Sequence, residues 1–155
     1  MSHGNDEYED REGIEEHETP LRGYRMRVAS PLTPVEESVM TTVIGCAIAV
    51  HKDLGPGFIE SIYHKAMCVE FNARRLAYET ECPISVKYRG VPLSGQRVDL
   101  IVEGLIVVEL KSVIRLDDVH RSQLVSYLRT TGLRGGLRIN FRTPVVSRGI
   151  KRVVL

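Results

Sequence analysis

The period at which apolar residues recur changes along this chain, and those changes limit the folds open to it. Val39, Val43, Cys46 and Val50 recur at steps of three and four, the spacing of one buried helical stripe. Ile59, Ile62, Ala66, Val69 and Ala73 form the apolar face of a second helix, expected over residues 58–75. From Glu79 onward the period is two. Residues 79–88 alternate as a strand, Arg89-Gly90 makes a turn, and residues 96–102 form a second strand. Glu103-Gly104 is a tight-turn signal leading into a near-continuous apolar strand over 105–110. A third helix is expected over 117–131, with an Asp start and Gly132 as its stop, followed by closing strands over 136–141 and 149–155. The order is α-α-β-β-β-α-β-β, which implies an α/β fold, bordering on α+β, with helices packed on a sheet.

The first helix has a clear beginning and end. Thr33 is suited to the N-cap and Pro34 to the first helical position, while Glu36 and Glu37 favour the positive end of the helix dipole. Leu54-Gly55-Pro56-Gly57 breaks it. Residues 1–33 are polar, acidic and aperiodic, with Pro20 and Pro31 punctuating them, and are expected to be a disordered tail. Residues 34–155 are then a single domain, large enough to bury its own core.

Composition excludes several classes. Hydrophobic content of 43% and charged content of 26% are those of a soluble globular protein. The longest apolar stretch, around Val43 to Val50, falls far short of the roughly 20 residues a membrane helix needs. With no basic leader before an apolar run, a cytoplasmic location is expected and no membrane partner. Cys46, Cys68 and Cys82 are odd in number and scattered, so neither a zinc site nor a disulfide framework is signalled. The formal net charge of +1 conceals an asymmetry, because residues 1–20 hold eight acids and one base. Taking these from the totals of 20 acids and 21 bases leaves 12 and 20, so the remainder carries +8. A body that basic suits a polyanionic partner, although arginines scattered for solubility would give the same number.

The chemistry-bearing residues lie on the predicted hairpin. With a three-residue turn centred on Gly104, positions whose numbers sum to 208 face each other, and Asp99 and Glu109 are such a pair. Lys111, two residues beyond Glu109, is expected on the same face, with Val98, Leu100, Val108 and Leu110 pointing the other way. Two facing carboxylates on apolar strands repel and resist desolvation, which a fold tolerates when a cation neutralises them. Oxygen ligands of this kind suit Mg²⁺, with a lysine beside it to orient water and offset charge on a phosphate. The rival is a structural Glu–Lys pair with Asp99 at a solvent edge. The hairpin alone does not choose between them.

Motifs elsewhere bear on the choice. Gly57-Phe58-Ile59-Glu60-Ser61-Ile62-Tyr63 matches Gly-x-x-Glu-x-x-Tyr, the signature that names the GxxExxY protein family, and it follows a Leu-Gly-Pro-Gly turn as in that family. Arg97-Val98-Asp99-Leu100, Val108-Glu109-Leu110-Lys111, His120-Arg121-Ser122-Gln123-Leu124 and Gly149-Ile150-Lys151-Arg152 extend the match over residues 37–155. The chain thus resembles that family, which is similar to the PD-(D/E)xK nuclease superfamily and its restriction-endonuclease-like core, a mixed sheet flanked by helices. Val98 stands where the superfamily name has proline. The resemblance implies that Asp99 and Glu109 are metal carboxylates, with Glu60 an additional acid reaching the metal through water. It implies Lys111 as the catalytic lysine and Gln123 as the helical glutamine that positions water or phosphate. The expected cofactor is Mg²⁺, with Mn²⁺ as a substitute.

Three neighbours have two readings each. Tyr63, one turn from Glu60, either orients Glu60 or a phosphate, or packs as a structural tyrosine. His120 and Tyr127 share a helix face with Gln123, and either support the site or sit at the helix surface. The expectation is a Mg²⁺-dependent nuclease acting on nucleic acid, DNA in the first instance, with a homodimer as the partner arrangement that two cuts in a duplex would need. The alternative is a non-catalytic nucleic-acid-binding or interaction module that retains the nuclease fold.

Overall fold

A computed structural model describes residues 15–18, 29–115 and 117–155. Strand β1 (Glu15–Glu18) is followed by helices α1 (Pro34–Leu54) and α2 (Glu60–Ala73), strands β2 (Tyr78–Tyr88), β3 (Val91–Val102) and β4 (Ile106–Lys111), helix α3 (Asp118–Thr131), and strands β5 (Gly135–Asn140) and β6 (Ile150–Val154). The strands make one mixed sheet in the order β1-β6-β5-β4-β3-β2. β4 and β5 are parallel, joined through α3, and every other neighbouring pair is antiparallel.

Helix α1 begins as its sequence requires. Thr33 Oγ1 accepts the Glu36 N–H at 3.2 Å and Glu36 Oε2 accepts the Thr33 N–H at 2.7 Å, which satisfies two of the helix's orphan donors. Gly55, with φ of 69°, closes the helix in a conformation that L side chains seldom adopt. The stripe Val39, Val43, Cys46 and Val50 is buried. Helix α2 departs from expectation. It starts at Glu60, and its buried residues are Tyr63, Met67 and Phe71, whereas Ile59, Ile62 and Val69 face outward. The larger side chains, spaced by four, displace the β-branched stripe from the core because they fill more of it per position.

Two clusters pack on the sheet. Leu100, Val102, Val108, Leu110, Leu137 and Ile139 join α1 and α2 in one. Val98, Val107, Leu124, Val125, Leu128 and Val153 form the other, with α3. Cys46 and Cys82 are buried and Cys68 is half-buried, and burial raises all three thiols above their ordinary range.

Two sequence expectations need correction. Val98 does not share a cluster with Leu100, because strand alternation is broken at Asp99 between them. In the stretch expected to be a disordered tail, residues 15–18 pair antiparallel with β6, supplying partners to an edge that would otherwise present free backbone groups. Residues 1–14 and 19–28, the rest of the expected tail, lie outside the described residues. Among the described residues no helix is long and apolar enough to cross a membrane.

Candidate active site

The β3–β4 hairpin has the register that its turn predicts. Leu100 faces Val108, Ile101 faces Val107 and Val102 faces Ile106. Glu103 and Gly104, at φ of 53° and 63°, make the turn, closed by the Leu105 N–H on the Val102 carbonyl at 3.0 Å. At the next position the backbone ladder gives way to side chains. Glu109 Oε1 accepts the Asp99 N–H at 3.1 Å, and Asp99 Oδ2 accepts the Leu110 N–H at 2.8 Å. Each carboxyl occupies a place where a backbone carbonyl would sit, which explains the broken alternation.

Burial sets the charge state of this pair. Glu109 is 3% exposed in the centre of the sheet. Burial first, and the Asp99 carboxyl second, raise its pKa to about 8, against the lowering influence of the Asp99 N–H and Lys111. Two carboxyls sharing so small a space hold a proton between them unless a cation replaces it.

Glu60 approaches from α2. Desolvation and then the Asp99 charge raise its carboxyl, while Lys111 and His64 lower it, so Glu60, Asp99 and Lys111 share one electrostatic neighbourhood. The signature around Glu60 has a structural explanation. Tyr63 is fully buried, stacks on Phe141 with centroids 4.4 Å apart, donates its hydroxyl to the Gly55 carbonyl and accepts the Phe58 N–H at 3.1 Å. The Ser112 hydroxyl donates to the Phe58 carbonyl at 2.7 Å, tying the same loop to the end of β4. Tyr63 therefore fixes where α2, and with it Glu60, begins.

Gln123 and Tyr127 approach from α3. Tyr127 is buried, and its hydroxyl accepts Gln123 Nε2 at 2.7 Å and Gln96 Nε2 at 2.5 Å. Its own pKa is raised by burial and then by the Glu109 charge, which puts it at the edge of the acidic pair. His120 is engaged elsewhere. Its Nδ1 accepts the Asp117 N–H at 3.2 Å and lies 2.5 Å from Asp117 Oδ1, at the start of α3.

Several residues here escaped the sequence reading. Glu81 on β2 lies level with Asp99 between the pairs Thr80–Leu100 and Cys82–Val98, with φ of 50°. His64 Nε2 is 3.5 Å from Glu81 Oε1 and 3.3 Å from the Asp99 carbonyl oxygen. Glu60, His64, Lys65, Glu81 and Asp99 line a cavity of about 200 Å³. Buried Asn140 on β5 accepts the Val113 N–H at 3.1 Å and donates to the Val113 carbonyl at 2.9 Å, holding the segment that follows Lys111. Arg138, also buried, stands level with Glu109 on the parallel neighbour. Of these only His64, one turn from Glu60, carried a spacing signal in the sequence.

The donor set fits a hard divalent cation: two neighbouring carboxyls, one of them held toward its protonated form by burial first and by the other's charge second. Among the described residues no three of His, Cys, Asp and Glu converge closely enough to enclose a metal unaided.

Comparison with known proteins bears on this arrangement. The sequence profile of the PD-(D/E)XK nuclease superfamily matches residues 37–153. No curated protein and no solved structure matches the chain. The matched stretch contains the whole β3–β4 hairpin and α2, α3 and β5 around it.

Proposed function

From the premise that this chain belongs to the PD-(D/E)XK nuclease superfamily, we propose that it is a Mg²⁺-dependent nuclease hydrolysing phosphodiester bonds of nucleic acid, with DNA as its substrate. The observation that carries this reading is the interlocked Asp99–Glu109 pair beside Lys111. The motif Gly57, Glu60 and Tyr63 supports a further resemblance, within the superfamily, to the GxxExxY proteins.

The residues divide the work. Asp99 and Glu109 would hold Mg²⁺, or Mn²⁺ in its place, directly, and Glu60 would hold it through water. When bound, the cation supplies positive charge that polarises a phosphoryl oxygen and acidifies a water. Lys111 orients the attacking water with its ammonium group and then offsets the charge that gathers on the phosphate oxygens. Gln123, held by one amide N–H on Tyr127, keeps its carbonyl oxygen to accept from water and a second N–H to donate. Tyr127 and Tyr63 position Gln123 and Glu60 and do not touch substrate. His120 serves the start of α3. Paired cuts in a duplex would call for two copies of the chain.

The test is cleavage of single-stranded, duplex and branched DNA with and without Mg²⁺. Asp99→Ala and Lys111→Ala each lower the rate by about a hundredfold or more, the range that one charge-stabilising group contributes. Undiminished cleavage in both variants overturns the mechanism. Salt-sensitive binding with no cleavage under any metal favours the binding-module reading.

A further inference from the structure

Strands β2 and β3 run well beyond the sheet they belong to. Cys82 and Val98 are their last buried pair. Past it the two strands stay paired, Pro83 with Arg97, Ile84 with Gln96 and, after a register shift, Val86 with Leu93 and Tyr88 with Val91. Arg89 and Gly90, at φ of 48° and 80°, turn the tip. From Asp99 the strand runs eight residue steps to Val91, with Gly90 turning the tip one step further, about 30 Å at the rise of a β-strand. The ribbon is a continuation of the strand that carries Asp99, and its base is fastened to α3 by Gln96 on Tyr127.

A lone two-stranded ribbon is marginally stable, so what covers it matters. Val86, Tyr88, Val91 and Leu93 share one face by their pairing, at 42%, 63%, 59% and 49% exposure. The ribbon is also single-signed. Residues 83–98 contain Lys87, Arg89 and Arg97 and no Asp or Glu. The Arg89 guanidinium lies over the Tyr88 ring, 5.6 Å from its centroid, which presents an aromatic face and a cation at the tip. A second copy of the chain docked on this ribbon would bring like charges together. A polyanion would not.

We propose that the β2–β3 ribbon is an arm that grips duplex nucleic acid at a distance from the scissile bond. Tyr88 and Val91 lie against one groove wall, Lys87, paired with Pro92 on the opposite face, meets phosphates of the other wall, and Arg89 meets phosphates at the tip. A two-stranded ribbon fits the major groove, and about 30 Å corresponds to roughly nine base-pair steps from the cut. The proposal rests on the nuclease reading for the class of its ligand, but it predicts binding, which is measured separately from turnover.

The experiment measures affinity without divalent cation, so that no cleavage intervenes, for a duplex of about 30 base pairs and one of about 8, which ends short of the arm's tip on either side of the cut. In Lys87→Ala/Arg89→Ala, with an unchanged melting temperature, the long duplex binds about tenfold more weakly and the slope of log K against log salt falls by about 2. The short duplex changes less than twofold, and Tyr88→Ala weakens the long duplex without altering the slope. Equal losses on both lengths, or none, overturn the proposal. So does self-association that Val86→Ser/Leu93→Ser abolishes while the slope of the double alanine variant stays at the wild-type value. Wild type that binds through the arm but never cleaves with Mg²⁺ fails the nuclease reading alone. Wild type that cleaves while the arm variants bind normally fails the arm alone. Wild type that binds neither duplex overturns both.

Discussion

Glu109 carries its carboxyl on a strand whose neighbours are buried valines and leucines, and the consequences follow from proton linkage. Its folded pKa of about 8 lies above the ordinary 4.5, so the folded chain holds this proton more tightly than the unfolded chain does. Stability from it is complete below about pH 4.5 and is lost as pH rises through about 8. Glu109→Gln keeps the shape and removes the titration. Its unfolding free energy from urea titration is therefore expected to match wild type near pH 5 and to exceed it near pH 9 by an amount on the order of 2 kcal/mol, as for a partly compensated buried charge. A difference that does not vary with pH would show that the proton resides elsewhere. The same carboxyl gives a metal test. Mg²⁺ at 100 times its Kd stabilises by about 2.7 kcal/mol through mass action. Wild type at pH 8 should melt higher with Mg²⁺ than with chelator, and Asp99→Asn should lose most of that rise.

At the scale of elements, the site depends on where each helix and strand begins. Tyr63 closes the turn between α1 and α2 with its hydroxyl, and Ser112 holds the same loop from β4. Tyr63→Phe retains the ring stacked on Phe141 but leaves the Gly55 carbonyl and the Phe58 N–H without that partner, at a cost of about 1–2 kcal/mol. Because Glu60 opens α2, kcat for cleavage should fall several-fold with KM little changed. A variant that loses stability alone would reduce Tyr63 to a packing residue. The element order from α1 onward, the hairpin register and the α1 stripe were all legible in the sequence, since turn residues and apolar period act locally. Val98 and the face of α2 were not, because the first depends on carboxyls invading the ladder and the second on which side chains win the core. Glu81 and Asn140 were also hidden. Their contacts with His64 and Val113 join distant parts of the chain, and no local spacing records them.

For the molecule as a whole, the distribution of charge matters more than its sum. Residues 21–155 carry +8, while the first twenty residues hold eight acids and one base. β1, within that acidic stretch, is paired to β6, which tethers the stretch to the body. A tethered polyanion competes with a free one for the same basic surface, and the competition weakens as salt screens both. Replacing Asp6, Glu7, Glu9, Asp10 and Glu12 with Asn or Gln leaves β1 in place and removes five of those charges. Duplex affinity at about 50 mM salt is expected to rise about tenfold, and the gain to shrink toward nothing above about 0.3 M, where the screening length is only several ångströms. Anisotropy titrations across that range decide the matter. An equal gain at every salt concentration would mean that the replaced residues obstruct the surface by bulk, and no gain at any would leave the tail without a part in binding.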